Sequence, residues 1–246
     1  MSCFDYCTGI LDSLKLKGIS SSLDEALKKA TKEKTSHLDF LSSLLAEEVN
    51  FRNERRLQRN LSGAHFPVIK KLETFNFSRI KGITEEQLNN LKDFRWIDKS
   101  ENIMFFGPPG LGKTHLSIAL GYKAIEAGYT VCFERITSLI KLLKTMETMR
   151  SSSFRINRIL RSSLLIIDEI GYTPIDRKEA NLFFNLISEL YERSSVIITS
   201  NKGFDQWSEM MGDEIMTTAM LDRLLHHAHV FSLEGDSYRI QEKKEV

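Results

Sequence analysis

Gly107-Pro108-Pro109-Gly110-Leu111-Gly112-Lys113-Thr114 follows a short apolar run, Asn102-Ile103-Met104-Phe105-Phe106. It precedes a segment from His115 to Gly128 whose apolar residues Leu116, Ala119, Leu120 and Ala124 fall at helix spacing before a terminal glycine. Strand, G-x-x-x-x-G-K-T and helix in this order form a phosphate-binding loop. Glycines let backbone N–H groups turn inward, and the new helix directs its positive end at the anion. Lys113 is placed to reach the β- and γ-phosphates, and Thr114 to put its hydroxyl on Mg²⁺. An ordinary Gly/Pro turn would not require Lys-Thr at the helix start.

A phosphate loop of this kind needs an acidic partner strand. Leu164-Leu165-Ile166-Ile167-Asp168-Glu169 is apolar and ends in two carboxylates. Asp168 is the expected Mg²⁺ holder, and Glu169 the group that orients and polarises an attacking water. A strand ending in acids is common by itself; with the loop upstream it indicates ATP hydrolysis. Ser195-Val196-Ile197-Ile198-Thr199 reads as a further strand ending at Ser200-Asn201. In P-loop ATPases with an extra strand between the loop strand and the Asp-Glu strand, this end lies beside the γ-phosphate. Asn201, ahead of Thr199, is the candidate γ-phosphate contact, the alternative being an asparagine that suits a tight turn. Arg223 either acts in trans as a finger on a neighbour's γ-phosphate or pairs on the surface with Asp222 or Glu214. The sequence does not decide between these.

The 246 residues suffice for one full α/β domain and a smaller one, and a hydrophobic fraction of 41% supplies a core. We expect a helical domain over residues 1–66 for DNA binding and oligomerisation, and an ATPase domain over residues 67–246. The second is expected to be a three-layer αβα P-loop fold with a parallel sheet. The few residues after Asn201 leave no room for a helical C-terminal lid. No run is apolar and long enough for a membrane helix, no secretory signal is evident, and three cysteines suit reduced thiols, so a cytoplasmic protein is expected. Cys3 and Cys7 lack a second ligand pair. His226, His227 and His229 lack a carboxylate at ligand spacing and read as non-metal.

Helix starts are predicted at Ser22-Leu23-Asp24-Glu25, Ser36-His37-Leu38-Asp39 and Thr84-Glu85-Glu86-Gln87. In the second of these helices Leu38, Leu41, Leu45 and Val49 keep helical spacing. Net charge is only +1, so nucleic-acid binding must come from local patches. One patch is Arg52 to Lys71, with six Lys/Arg against Glu54; Arg52, Arg55, Arg56 and Arg59 share a helical face. Guanidinium forks suit phosphate oxygens, although a solvated face with a Glu48–Arg52 pair accounts for the same pattern. A second patch is Lys141 to Arg161, with six Lys/Arg against Glu147, including Arg155 and Arg158. Together the two patches favour DNA.

With these residues in view, the chain resembles AAA+ ATPases of the IstB/DnaC class, and most of all the IstB-type transposition helpers of bacterial insertion sequences. The resemblance rests on residues 107–115 (through His115), Leu165 to Tyr172, Thr199-Ser200-Asn201, Asp222-Arg223-Leu224 and Gly235-Asp236-Ser237-Tyr238-Arg239. The stretch Leu72-Glu73-Thr74-Phe75-Asn76-Phe77 also fits, with Asn76 where the family usually has aspartate. The resemblance implies a homo-oligomeric, ATP- and Mg²⁺-dependent regulator of DNA transposition. Such a protein assembles on double-stranded DNA, deforms it and presents it to a partner transposase. The resemblance places Gly107 to His115 on the nucleotide, Asp168 and Glu169 on metal and water, Asn201 as sensor and Arg223 as the finger in trans. The alternative is a DnaC-like replicative helicase loader, which would favour single strands and aromatic stacking platforms. A small-molecule kinase fits the Asp168-Glu169 pair and the basic patches poorly.

Overall fold

In the computed structural model, residues 2–238 are described. The chain divides into two compact units, Met1–Arg59 and Asn60–Val246. The first contains helices α1 (Cys3–Ser13) and α2 (Lys17–Glu33) and most of α3 (His37–Ala64). Ser36 caps α3 as predicted, its Oγ accepting from Asp39 N at 3.2 Å. The α2 start predicted at Ser22 lies instead at Lys17, and Ser22 is interior, its hydroxyl donating to Gly18 O. The reason is Glu48 on α3. Its Oε2 accepts the N–H groups of Gly18 (2.7 Å) and Ile19 (3.2 Å), supplying from a neighbouring helix the cap that α2 lacks in its own sequence. A Cβ on Gly18 would stand 2.8 Å from Glu48 Cα, so only glycine allows this close crossing.

The predicted stripe of α3 is not its buried side in this chain. Leu38, Leu41, Leu45 and Val49 are exposed, whereas Leu44 packs with Ile19 and Leu23. The predicted Glu48–Arg52 pair forms at 2.7 Å.

The expected division after residue 66 falls earlier, within α3, because its last turn is anchored in the second unit. Asn60 Nδ2 donates to Tyr129 O, and Ala64 has no exposed surface. Phe66, at the expected boundary, packs edge-on against Phe133.

The second unit continues with β1 (Ile80–Lys81), α4 (Glu85–Asn90), α5 (Arg95–Asp98), β2 (Asn102–Phe106), α6 (Lys113–Glu126) and β3 (Val131–Arg135). Then come α7 (Ile136–Thr145), α8 (Arg150–Leu160), β4 (Leu164–Ile170), α9 (Arg177–Leu190), β5 (Ser195–Ser200), α10 (Trp207–Met211), α11 (Glu214–Leu225), β6 (Ala228–Ser232) and β7 (Glu234–Gly235). Five strands form a parallel sheet in the order β3-β4-β5-β2-β6. Strands buried on both faces are continuous apolar runs rather than alternating ones, which is why residues 102–106 and 164–167 carry so few polar side chains. One face, with Met104, Leu165, Ile167, Val196 and Ile198, joins the core of α7, α9 and α11. Ile166 points to the other face, where its Cδ1 lies 2.7 Å from a Cβ position on Gly121 of α6.

The order places β5 between β2 and β4, as the Asn201 assignment required. Among the described residues no helical lid follows β6. Instead β7 pairs antiparallel with β1, Ile80 opposite Gly235, and Tyr238 just beyond it reaches the phosphate loop at Gly110. No helix among them is long and apolar enough to cross a membrane.

Glu48 supplies a test of the first unit. The Arg52 guanidinium, and then the N–H groups of α2, hold its carboxyl below the ordinary carboxylate range against the opposing effect of burial. A depressed folded pKa stabilises above the unfolded value, about 4.3, and that stability is lost as pH falls through the folded value. Glu48→Gln should therefore lower helical stability at pH 7 and flatten its acid dependence, read by far-UV circular dichroism melts between pH 3 and pH 7.

Candidate nucleotide site

Parallel strands deliver their carboxyl ends to one edge, where Gly107, Arg135, Asp168, Ser200 and their followers meet. A cavity of about 600 Å³ opens there, lined by Lys113, Thr114, Arg135, Glu169, Asn201 and Tyr238 among others. The phosphate loop depends on glycines with positive φ. Gly112 (φ +82°) starts α6, and a Cβ there would stand 2.5 Å from the Phe75 ring. Gly107 (φ +133°) lies so close to Leu233 O that a Cβ would stand 2.2 Å away. Lys113 Nζ donates to the carbonyls of Gly107 (2.6 Å) and Pro108 (2.7 Å), lying back along the loop it is expected to serve.

Asp168 is the hub. Its Oδ1 accepts the hydroxyls of Thr114 (2.8 Å) and Thr199 (2.6 Å), and Asp168 is 1% exposed. Thr199 Oγ1 also accepts the N–H of Glu169 at 2.9 Å. Thr199 thus orients the acidic pair, and its proton is committed to Asp168. Glu169 is a non-glycine residue at φ +66°, where the β4–β5 register shifts between Ile167 and Ile170. The bulge aims its side chain into the cavity, where Glu169 Oε2 lies 3.4 Å from Arg135 Nε. Asn201 Oδ1 is buried without a hydrogen-bond partner. A Cβ on Gly171 would stand 2.5 Å from that oxygen.

A cationic loop and the hard oxygen donors of Thr114 and Asp168 fit a phosphorylated ligand with Mg²⁺, while the orphaned Asn201 Oδ1 is an acceptor that suits a water beside the phosphates. His115 also lines the cavity; its Nε2 lies 2.9 Å from Lys71 O and its ring meets Phe75 edge-on.

Several residues were not singled out by the sequence. Arg135 carried no signal beyond its charge at a strand end. Phe75, Asn76 and Tyr238 lay in stretches quoted for the resemblance, without a role. Tyr238 N donates to Gly110 O at 3.1 Å and its hydroxyl to Asn76 O, so it closes one side of the cavity. Arg239, quoted with it, lies outside the described residues.

The remaining expected residues divide. Arg223 is not among those lining the cavity; its Nη1 donates to Ala219 O and its guanidinium lies 5.0 Å over the Phe184 ring, so neither Asp222 nor Glu214 is its partner. Arg52, Arg55, Arg56 and Arg59 are exposed on α3. Arg155 overturns its expectation as a DNA contact: it is 6% exposed and bound internally to Glu134, Gly63, Ala64 and Phe133. Arg158 also turns inward, against Gly63, where its Nη2 lies 1.3 Å from a Cβ position. Lys144 pairs with Glu179. The second basic patch is therefore not one surface. The histidines differ too: Glu192, distant in sequence, brings a carboxylate within 4.8 Å of ring nitrogens of His226 and His227, whereas His229 pairs with Glu101.

Comparison with known proteins agrees with this geometry. The family described as IstB-like ATP binding protein matches residues 9–246. The insertion sequence IS21 ATP-binding protein of Pseudomonas aeruginosa is 40% identical over 237 residues, covering 96% of this chain and 89% of that protein. The insertion sequence IS5376 ATP-binding protein of Geobacillus stearothermophilus is 38% identical over 87% of this chain and 86% of its own. A crystal structure of the DnaC helicase loader aligns with a TM-score of 0.52 at 21% identity, covering 67% of this chain and 96% of that chain, a likeness of AAA+ fold. The chain is a member of the IstB-like ATP binding protein family, built on an AAA+ P-loop core.

Proposed function

We propose that this chain is an ATP-hydrolysing regulator of DNA transposition that assembles with copies of itself on duplex DNA and presents that DNA to a transposase. The observation that carries the reading is the constellation around Asp168: Lys113, Thr114, Thr199, Glu169 and Asn201 around one cavity. The relatives, ATP-binding proteins of insertion sequences, supply the biological setting, which for a bacterial element is the cytoplasm.

Residues 107–114 bind the phosphates through loop N–H groups, and Lys113 exchanges its two loop carbonyls for phosphate oxygens. Thr114 and Asp168 would hold Mg²⁺, which supplies charge neutralisation on the phosphates. Glu169 orients a water whose oxygen attacks the γ-phosphorus. The bond to the bridging oxygen breaks, giving ADP and phosphate. Asn201 hydrogen-bonds the γ-phosphate, and Arg223, outside its own cavity, serves a neighbouring subunit's site. Arg52, Arg55, Arg56 and Arg59 meet the DNA backbone. The exposed stripe Leu38, Leu41, Leu45 and Val49 supports self-association.

The primary test is anisotropy of labelled duplex and single-stranded DNA with a non-hydrolysable ATP analogue, ADP or no nucleotide, across a salt series. Duplex binding should require the triphosphate, with a log–log salt slope of about −3.6 if four arginines each neutralise one phosphate. Preference for single strands would overturn the reading in favour of a helicase loader. Lys113→Ala should weaken nucleotide binding by about tenfold to a hundredfold, the loss of charge-assisted hydrogen bonds, and abolish assembly. Normal assembly in that variant would defeat the ATP-switch mechanism. Glu169→Gln should lower turnover by about 10² to 10⁴ while retaining ATP, read by single-turnover hydrolysis and filter binding. Thr199→Val should lower turnover through displacement of Asp168 and Glu169, and should lower the melting temperature by a few degrees, because a buried carboxylate and a backbone N–H each lose a partner.

A further inference from the structure

The strands that carry the nucleotide cavity at their carboxyl ends begin at the opposite edge of the sheet, and there the chain gathers a second set of side chains. Helix α9 ends at Leu190, and residues 191–194 turn the chain into β5. Helix α11 ends at Leu225, and His226 and His227 lead into β6. Backbone hydrogen bonds fix both turns. Ser194 N donates to Leu190 O, His226 N donates to Asp222 O, and His227 O accepts Asn102 N at 2.7 Å. Glu192 stands at φ +57°, a left-handed conformation that residues other than glycine seldom take.

These turns bring one carboxylate to two imidazoles. An oxygen of Glu192 and one ring nitrogen each of His226 and His227 lie within 4.8 Å of one another. The two rings are 4.1 Å apart, and the Tyr191 hydroxyl lies 2.9 Å from His226 Nδ1. His229 takes no part, being paired with Glu101. Among the described residues no other three His, Cys, Asp or Glu side chains converge in this way.

Two nitrogen donors and one oxygen donor suit a late transition-metal dication, whereas magnesium and calcium take oxygen ligands. Zinc with ligands at about 2.0–2.2 Å sets tetrahedral donors about 3.3–3.6 Å apart. All three side chains are exposed, so small rotations close the remaining distance without disturbing the core. Three protein ligands leave a fourth position for water. Metal-bound histidines are usually oriented by a hydrogen bond from a neighbouring group, and Tyr191 stands where it can orient His226.

We propose that Glu192, His226 and His227 form a binding site for Zn²⁺, with Tyr191 as the positioning residue, and that the bound ion clasps the end of α9 to the end of α11. The site lies apart from the Mg²⁺ position at Thr114 and Asp168 and does not rest on the proposed reaction.

The experiment uses the full chain without an affinity tag, stripped of metal by a chelator and held in excess Mg²⁺, so that sites built on oxygen alone are filled. Zn²⁺ titrated against a chromophoric chelator should bind saturably, one ion per chain, in the micromolar range, and should raise the melting temperature of the parent. His226→Ala, His227→Ala and Glu192→Gln should each weaken that binding by about tenfold or more and remove the thermal shift, and Tyr191→Phe should weaken it by about tenfold. Without Zn²⁺ these variants should match the parent's far-UV circular dichroism, because the ligands are exposed. Cys3→Ser/Cys7→Ser should bind as the parent does. Co²⁺ in place of Zn²⁺ should give a visible d–d band without the charge-transfer absorption of a thiolate ligand. Absence of saturable binding, binding that survives loss of both histidines, or a Co²⁺ spectrum with thiolate absorption would overturn the site. Binding without a thermal shift would overturn the clasp, and parental affinity in Tyr191→Phe would remove Tyr191 from it.

Discussion

The site depends on one shared acceptor. Asp168 Oδ1 receives hydroxyl protons from Thr114, on the first turn of α6, and from Thr199, on β5. These two hydrogen bonds join the phosphate loop, the acidic strand and the γ-phosphate-facing strand at one atom. A carboxylate this buried persists only when its charge is answered by donors, and both hydroxyls lie in a layer that the sheet order creates. Were β5 at an edge rather than between β2 and β4, Thr199 would not reach Asp168, and the backbone of Glu169 would lose its anchor. The same hydroxyl that steadies Asp168 thereby sets the bulge that turns Glu169 toward the cavity.

The loop itself is held from behind by residues that follow β6. Leu233 N donates to Phe106 O, Gly107 lies against Leu233 O, and Gly82 has room only for a hydrogen facing Ser232 O. The β1–β7 ribbon therefore packs backbone on backbone against the loop. Two of these contacts are possible only because a glycine stands on one side. Tyr238, Asn76 and Phe75 then wall the cavity. The short ribbon ties the position of this wall to the loop's own conformation.

Charge behaves differently in the two units. Arg52, Arg55, Arg56 and Arg59 stand on a helix face that no core covers, and they remain exposed. Arg155 stands on a helix whose apolar residues Ile156 and Ile159 enter the core, and its guanidinium is carried inward with them to the carbonyls that end α3. Arginines at similar spacing thus became a solvent-facing row in one place and an internal rivet in the other. Composition counts charges; packing decides which of them water can reach.

The sequence by itself determined the P-loop, the acidic strand and the strand ending at Asn201, because short-range chemistry fixes each. Glycines at set offsets allow the loop, continuous apolar runs demand a sheet covered on both faces, and Ser36 and Thr84 announce helix starts through their own side chains. It also indicated that β5 lies between β2 and β4, through the resemblance of the whole pattern to P-loop ATPases. Tertiary structure alone decided what depends on partners far along the chain. Glu48 supplies a cap that moves the start of α2, Arg155 is withdrawn from the surface, Arg135 meets Glu169, and Tyr238 returns to the loop at Gly110. Each is a long-range contact between groups with no local periodicity to announce them, so no spacing along the chain could have placed them.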